Sequence, residues 1–185
     1  MIYVIDHEDS FTYNLVHLLE GFAPTYVSNY YDINWRQLEK SKIIIFSPGP
    51  GNPSNYPETQ KVYNKYKGKK KIIGICLGFQ QILYAENAHI VPQKKIYHGY
   101  QSRVKALKES TLFKPNKVFL AGRYHSLKLK EPFNSSSLKI TMRCVESNVA
   151  MAIEDTINNV YGFQFHPDSF LTVDGKFLIQ KVLQF

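Results

Sequence analysis

Nowhere does this 185-residue chain hold an apolar run near the roughly 20 residues that a membrane span requires, so no transmembrane helix is expected. Its opening, Met1-Ile2-Tyr3-Val4-Ile5-Asp6, lacks the basic region and small-residue cleavage site of a secretory signal peptide. Only two cysteines occur, Cys76 and Cys144, too few for a disulfide framework. A reducing, cytoplasmic setting is therefore expected, although two thiols can in principle pair. Internal repeats, low-complexity tracts and linkers are absent as well, and Asn134-Ser135-Ser136-Ser137 reads as a loop within the domain. With 44% hydrophobic residues the chain can bury a full core without metals or disulfides. One domain over residues 1–185 is expected.

Acidic residues are scarce: 15 Asp and Glu face 23 Lys and Arg, a formal net charge of +8. The densest basic run is Lys65-Tyr66-Lys67-Gly68-Lys69-Lys70-Lys71. A nucleic-acid surface would call for a second basic cluster or a recognition motif, and the sequence offers neither. The run leads straight into Ile72-Ile73, and lysines at the negative end of a helix, with Gly68 as its stop, explain it without a ligand. No nucleic-acid partner and no membrane partner are expected. An acidic partner protein accounts for the charge equally well.

What is present is alternation. Short apolar runs at Ile2–Ile5, Ile43–Phe46 and Ile72–Ile75 read as buried strands, and each is followed by a helical pattern. The first helix carries Phe11, Leu15, Leu18, Leu19 and Phe22 at helical spacing, with Ser10 as its expected cap. Helices are also expected over Tyr56–Tyr66 and Phe79–Tyr84. Beyond residue 99 the pattern changes: Tyr100–Leu107, Lys117–Ala121, Leu138–Cys144, Val149–Ile153 and Val160–Phe165 read as strands with few helices between them. A final helix over about Thr172–Leu183 places Leu178, Val182 and Phe185 on one stripe. The expected class is α/β, a mostly parallel sheet with helices on both faces and antiparallel strands in the C-terminal half.

In such sheets ligands sit beyond the carboxyl ends of the strands. Three unusual segments follow strands at that edge: Asp6–Asn14, Ser47–Pro53 and Cys76–Gln80. Ser47-Pro48-Gly49-Pro50-Gly51-Asn52-Pro53 has no Gly-Lys-Ser/Thr and is no phosphate loop. It is either an ordinary turn or a stiff loop whose N–H groups face an oxyanion. Gly74-Ile75-Cys76-Leu77-Gly78 sets a cysteine between two glycines where a strand becomes a helix. Cys76 is either a small buried hydrophobe or a nucleophile on a strained elbow, with the positive helix end favouring its thiolate. A nucleophile needs a base. Of the six histidines, His17 falls within an amphipathic helix, and His7 and His89 lack catalytic context. His166 lies just past a strand in Gln164-Phe165-His166-Pro167-Asp168-Ser169. In extended backbone residues two apart share a face, so Asp168 is positioned to orient its ring. A structural histidine is the alternative for this segment taken alone.

In their order along nearly the whole chain, Asp9–Asn14, Ser47–Gly51, Gly74–Gly78, His98-Gly99, Arg123–Leu127 and Gln164–Pro167 resemble the signature blocks of the triad class of glutamine amidotransferases. Within it they most resemble the glutaminase subunits of anthranilate synthase and of aminodeoxychorismate (para-aminobenzoate) synthase. The resemblance implies the flavodoxin-like fold of class I glutamine amidotransferases. It implies Cys76 as nucleophile, His166 as base and Asp168 as third member, with the backbone N–H groups of Gly49 and Leu77 as oxyanion hole. Glutamine, the implied substrate, would meet Gly49, Pro50, Gly51, Gln80, Ser126 and Leu127. The implied partner is a chorismate-binding synthase subunit, component I, which receives the ammonia and makes anthranilate or aminodeoxychorismate, for tryptophan or folate. No metal and no organic cofactor is implied in this subunit.

The chain departs from the pattern at Asp168, where the family usually has glutamate. One methylene fewer shortens the reach by about 1.5 Å. Either the local backbone shifts so that Asp168 still orients His166, or this copy is a weakly active subunit that binds and regulates its partner. Phe79 stands where the family commonly has histidine, and Glu86-Asn87-Ala88 replaces a glycine pair. Phe79 is expected to have little effect, since the family's histidine there is assigned no chemistry, and the second change is expected to reshape a turn.

Overall fold

The short isoleucine-rich runs become the centre of a sheet, because β-branched side chains pack well on both faces of a pleated layer. The computed structural model describes residues 1–184. In chain order its elements are β1 (Ile2–Asp6), α1 (Thr12–Glu20), β2 (Thr25–Asn29), α2 (Trp35–Lys40), β3 (Ile43–Phe46), α3 (Pro57–Tyr66), β4 (Lys71–Ile75) and α4 (Leu77–Ala85). There follow β5 (Ile90–Pro92), β6 (Tyr100–Ala106), β7 (Val118–Arg123), β8 (Leu127–Leu129), β9 (Lys139–Cys144), β10 (Ala150–Asp155), β11 (Val160–Phe163) and α5 (Gly175–Gln184). Nine strands form one sheet in the order β2-β1-β3-β4-β11-β10-β9-β6-β7, and β5 pairs with β8 in a separate ribbon. From β2 to β11 the neighbours run parallel. From β11 to β7 they run antiparallel. The parallel part thus has the flavodoxin-like order, and its switch point falls between β1 and β3.

Alternation along each central strand divides the core in two. Ile2, Val4, Ile45, Ile73 and Ile75 pack with Leu15, Leu19, Leu178 and Val182 of α1 and α5. Tyr3, Ile5, Ile44, Phe46 and Ile72 pack with Leu38, Val62, Phe79 and Ile82 of α2, α3 and α4. The expected stripe on the last helix is therefore present at Leu178 and Val182, while Phe185 lies outside the described residues. Among these residues no helix is long and apolar enough to cross a membrane.

Some local expectations need correcting. Ser10 does not cap α1: the N-cap is Phe11, without a side-chain cap, and the Asp9 carboxylate accepts from the Phe11 N–H at 2.8 Å. The last helix begins at Gly175 and not near Thr172. Pro57 begins α3, where proline's missing N–H costs nothing. The lysine run is largely engaged within the fold. Lys65 pairs with Glu39 and Lys67 with Glu86, while buried Lys71 donates to the Val182 carbonyl at 2.8 Å.

Candidate active site

Strands β1, β3, β4 and β11 lie side by side and end at one edge, so the loops that follow them converge. At that edge Cys76 is the N-cap of α4 and adopts φ 52°, ψ −100°. A residue with a Cβ is strained there. Its N–H donates to the Phe163 carbonyl at 2.8 Å, which fixes the elbow to β11. The flanking glycines do not carry the strain. They supply clearance: a Cβ on Gly74 would lie 2.3 Å from the Gly78 carbonyl, and one on Gly78 2.1 Å from the Phe46 carbonyl oxygen.

Cys76, 7% exposed, lines a cleft of about 370 Å³ together with Gly49, Pro50, Gly51, Leu77, Gln80, Ser126 and Leu127. Every residue expected at the oxyanion hole or around the substrate borders this one cleft. Leu77 opens α4, and the first N–H groups of a helix have no partner within it. The loop carrying Gly49 rests on His7, whose own N–H donates to Ser47 Oγ at 2.9 Å and whose Nε2 lies 2.8 Å from Thr59 Oγ1. Burial drives the His7 pKa down to about 3, so this ring is neutral. Its place under the loop supplies the context that sequence alone did not.

His166 is 2% exposed and does not border the cleft; it sits buried beside the Cys76 sulfur. Phe11 and Tyr124 hold its ring edge-on at centroid distances of 4.9 and 5.0 Å. The His166 backbone N–H donates to the Gly122 carbonyl of β7 at 3.0 Å. Burial pushes the imidazole pKa down. The charge of the Cys76 sulfur and the Asp168 carboxylate outweighs that and raises it to about 10.

Asp168 is brought beside His166, but by a turn and not by extended chain. The Ser169 N–H donates to the His166 carbonyl at 3.2 Å, closing a turn with Pro167 at its second position. Gly175 admits this turn: a Cβ there would lie 1.9 Å from the Pro167 carbonyl oxygen. His166 Nδ1 and Asp168 Oδ2 are 3.7 Å apart, beyond hydrogen-bond reach. Among the described residues neither carboxylate oxygen, nor Nδ1, has a protein hydrogen-bond partner, although all three atoms are buried.

Gln80 points its amide N–H at Gln164 Oε1, 3.0 Å away. Gln164 in turn directs Nε2 toward the Cys76 carbonyl at 3.5 Å and the Cys76 sulfur at 3.8 Å. Sequence reasoning gave Gln164 no role, since a glutamine inside a motif carries no signal of where its amide points. Asp9, His98, Tyr124 and His125, which belong to the resembling blocks but carry no expected role, also border the cleft. His125 Nδ1 lies 2.8 Å from the Leu127 carbonyl and its Nε2 accepts from Arg123 Nε at 3.1 Å. Burial, reinforced by the Arg123 charge, lowers its pKa to about 3. A neutral His125 thereby fixes the Ser126-Leu127 wall.

A family model described as glutamine amidotransferase class I matches residues 3–184. The chain is 37% identical over 183 residues to an anthranilate synthase component 2 of Lactococcus lactis, covering 97% of this chain and 92% of that protein. It is 39% identical over 192 residues to an anthranilate synthase component 2 of Pyropia yezoensis, covering 100% of both. Among solved structures, a putative GMP synthase subunit from Thermoplasma acidophilum superposes with a TM-score of 0.84 at 19% identity, over 99% of this chain and 92% of that one. A glutamine amidotransferase from Thermotoga maritima superposes with a TM-score of 0.75 at 14% identity, over 99% and 96%.

Proposed function

The chain belongs to the class I glutamine amidotransferases, and from that premise we propose that it hydrolyses glutamine through a Cys76 thioester and hands the ammonia to a chorismate-binding synthase subunit. The observation that carries this reading is the meeting of Cys76 with the Gly49–Gly51 loop at one cleft, with the His166 ring buried beside the Cys76 sulfur.

The Cys76 sulfur attacks the carboxamide carbon of glutamine, and the carbonyl π-electrons move onto oxygen. The N–H groups of Gly49 and Leu77 donate to that oxyanion, and the N-terminal end of α4 adds its positive potential. His166 takes the Cys76 thiol proton during this attack and presents it to the leaving nitrogen. The C–N bond breaks, ammonia departs with that proton, and a glutamyl thioester remains. His166 then takes a proton from water, whose oxygen attacks the thioester and releases glutamate and the sulfur. Gln80, Pro50, Gly51, Ser126 and Leu127 hold the rest of the substrate.

Ammonia then reaches the partner, where it aminates chorismate. The relatives' names favour anthranilate as the product, and aminodeoxychorismate is the sister outcome. The separation of 3.7 Å at Asp168 favours a second reading in which the chain works slowly and acts chiefly by binding its partner. Glutamate release from glutamine, with and without a chorismate-binding synthase subunit, tests the proposal. Release in either condition supports it; none in both, from folded protein, overturns it.

In this mechanism Gln164 is a positioning residue that donates to the sulfur. Gln164→Leu is expected to lower kcat/KM about tenfold, the worth of one hydrogen bond to a charged group. Iodoacetamide alkylation of Cys76 across pH separates this role from a packing role, since a lost donor shifts the profile to higher pH and a packing change leaves it in place.

A further inference from the structure

A second cleft, of about 420 Å³, is lined by Gln93, Lys94, Lys95, Tyr97, Lys128 and Ser147 among others, and none of its lining residues is acidic. None of its lysines forms an ion pair among the described residues. Behind it lies Arg123, wholly buried. A buried guanidinium ordinarily has a carboxylate partner. Among the described residues Arg123 has none within ion-pair distance, and burial lowers its pKa.

The outer guanidinium nitrogens of Arg123 reach toward this cleft. Nη2 lies 3.4 Å from Gln93 Oε1, Nη1 lies 3.5 Å from Ser147 Oγ, and Tyr97 covers the group with its ring centroid at 3.5 Å. These contacts are long for a charged donor. Nη1 also lies 3.4 Å from Cys144 Sγ. The nearby Glu146 carboxylate is held by Arg103 at 2.8 Å and accepts from Cys144 Sγ at 3.2 Å. The cleft therefore gathers three lysines that have no ion-pair partner among the described residues.

Gln93 and Arg123 also support residues that line the reaction cleft. The Gln93 N–H donates to the Ser126 carbonyl at 2.9 Å, its side-chain amide donates to the His125 carbonyl at 2.5 Å, and Arg123 Nε donates to His125. Lys128 follows Leu127 directly in β8. His125, Ser126 and Leu127 thus have the substrate on one side and this basic cleft on the other.

We propose that the cleft binds a small, multiply charged oxyanion of the phosphate class, and that occupancy changes the affinity of the reaction cleft for glutamine through the His125–Leu127 wall. The binding half stands on the cleft alone; the coupling half rests on the glutaminase reading. Phosphate oxygens would take the lysine ammonium groups and draw on the Gln93 and Ser147 dipoles, loosening or tightening the hydrogen bonds that set Ser126. A recessed cleft of this size suits a small ligand better than an extended polyanion.

Calorimetric titration of the full chain with sodium pyrophosphate, at fixed ionic strength and without glutamine, reads the binding half. One saturable site is expected, weakened about tenfold or more in a Lys94→Gln, Lys128→Gln double variant. No saturable binding, or undiminished binding by a folded double variant, overturns it. A Cys76→Ser chain, which cannot turn glutamine over, reads the coupling. Glutamine and pyrophosphate are expected to change each other's Kd by the same factor. If both ligands bind with unchanged Kd values, the coupling is overturned; if glutamine alone fails to bind, it is the glutaminase reading that fails.

Discussion

Replacing Asp168 with glutamate is expected to raise the turnover of glutamine about 10- to 100-fold, because an active-site displacement near 1 Å costs on that order. His166 Nδ1 and Asp168 Oδ2 are 3.7 Å apart, and among the described residues both are buried without a hydrogen-bond partner. An N–H···O bond to a carboxylate forms at about 2.8 Å, so the missing approach is smaller than the roughly 1.5 Å that one methylene supplies. The Asp168 charge still helps raise the imidazole pKa at this distance, but a charge alone does not fix the ring's orientation or which nitrogen faces the sulfur. Glutamate would do both. Initial rates of glutamate release for the wild type, Asp168→Glu and Asp168→Asn decide the matter, with the asparagine variant slower than the wild type. The raised His166 pKa gives a second readout. Its contribution to stability is complete below the unfolded value of 6.5 and is lost as pH rises through about 10. In Asp168→Asn that alkaline loss should begin at lower pH. An unchanged rate in Asp168→Glu would mean that the aspartate already serves in full.

The site was legible in the sequence to different depths, for identifiable reasons. The central strands announce themselves because both of their faces are buried, so Ile43–Phe46 and Ile72–Ile75 read as continuous apolar runs. Strand β2 went unread because Thr25–Asn29 is half-buried at the sheet edge, and α2 because it is only six residues long. Cys76 was visible from its glycines, but those glycines let the backbones of β3, β4 and α4 approach closely while the cysteine itself takes the unusual dihedrals. Asp168 was paired with His166 on a strand argument, and the chain reaches the same pairing by a turn around Pro167. A two-residue spacing fits both. What stayed hidden were groups whose meaning lies in long-range contacts. His7 beneath the Gly49 loop, Gln164 against the sulfur and Arg123 behind His125 have neighbours 40, 88 and 30 residues away in sequence. No local pattern encodes such distances.

Removing the thiol should abolish turnover, and the way in which it is removed should reveal how the thiol is held. Cys76→Ala and Cys76→Gly are both expected to lose glutamate release by about 10⁴-fold or more, since no other group on the cleft can form the thioester. Their stabilities should differ in the unusual direction. At an ordinary site glycine is less stable than alanine by about 0.5–1 kcal/mol, because it loses more chain entropy on folding. At φ 52°, ψ −100° the order inverts. The mirror-image dihedrals fall near the extended region open to all residues, so glycine adopts this conformation freely, whereas any Cβ is strained there by about 1–3 kcal/mol. Cys76→Gly should therefore be more stable than Cys76→Ala by about 1–2 kcal/mol in urea unfolding. Neither variant carries sulfur, so lost packing of the thiol cancels in the comparison. Alanine equal to or more stable than glycine would mean that the elbow is relaxed in solution. The Phe163 hydrogen bond and the helix that Cys76 begins would then hold the sulfur at the cleft without stored strain.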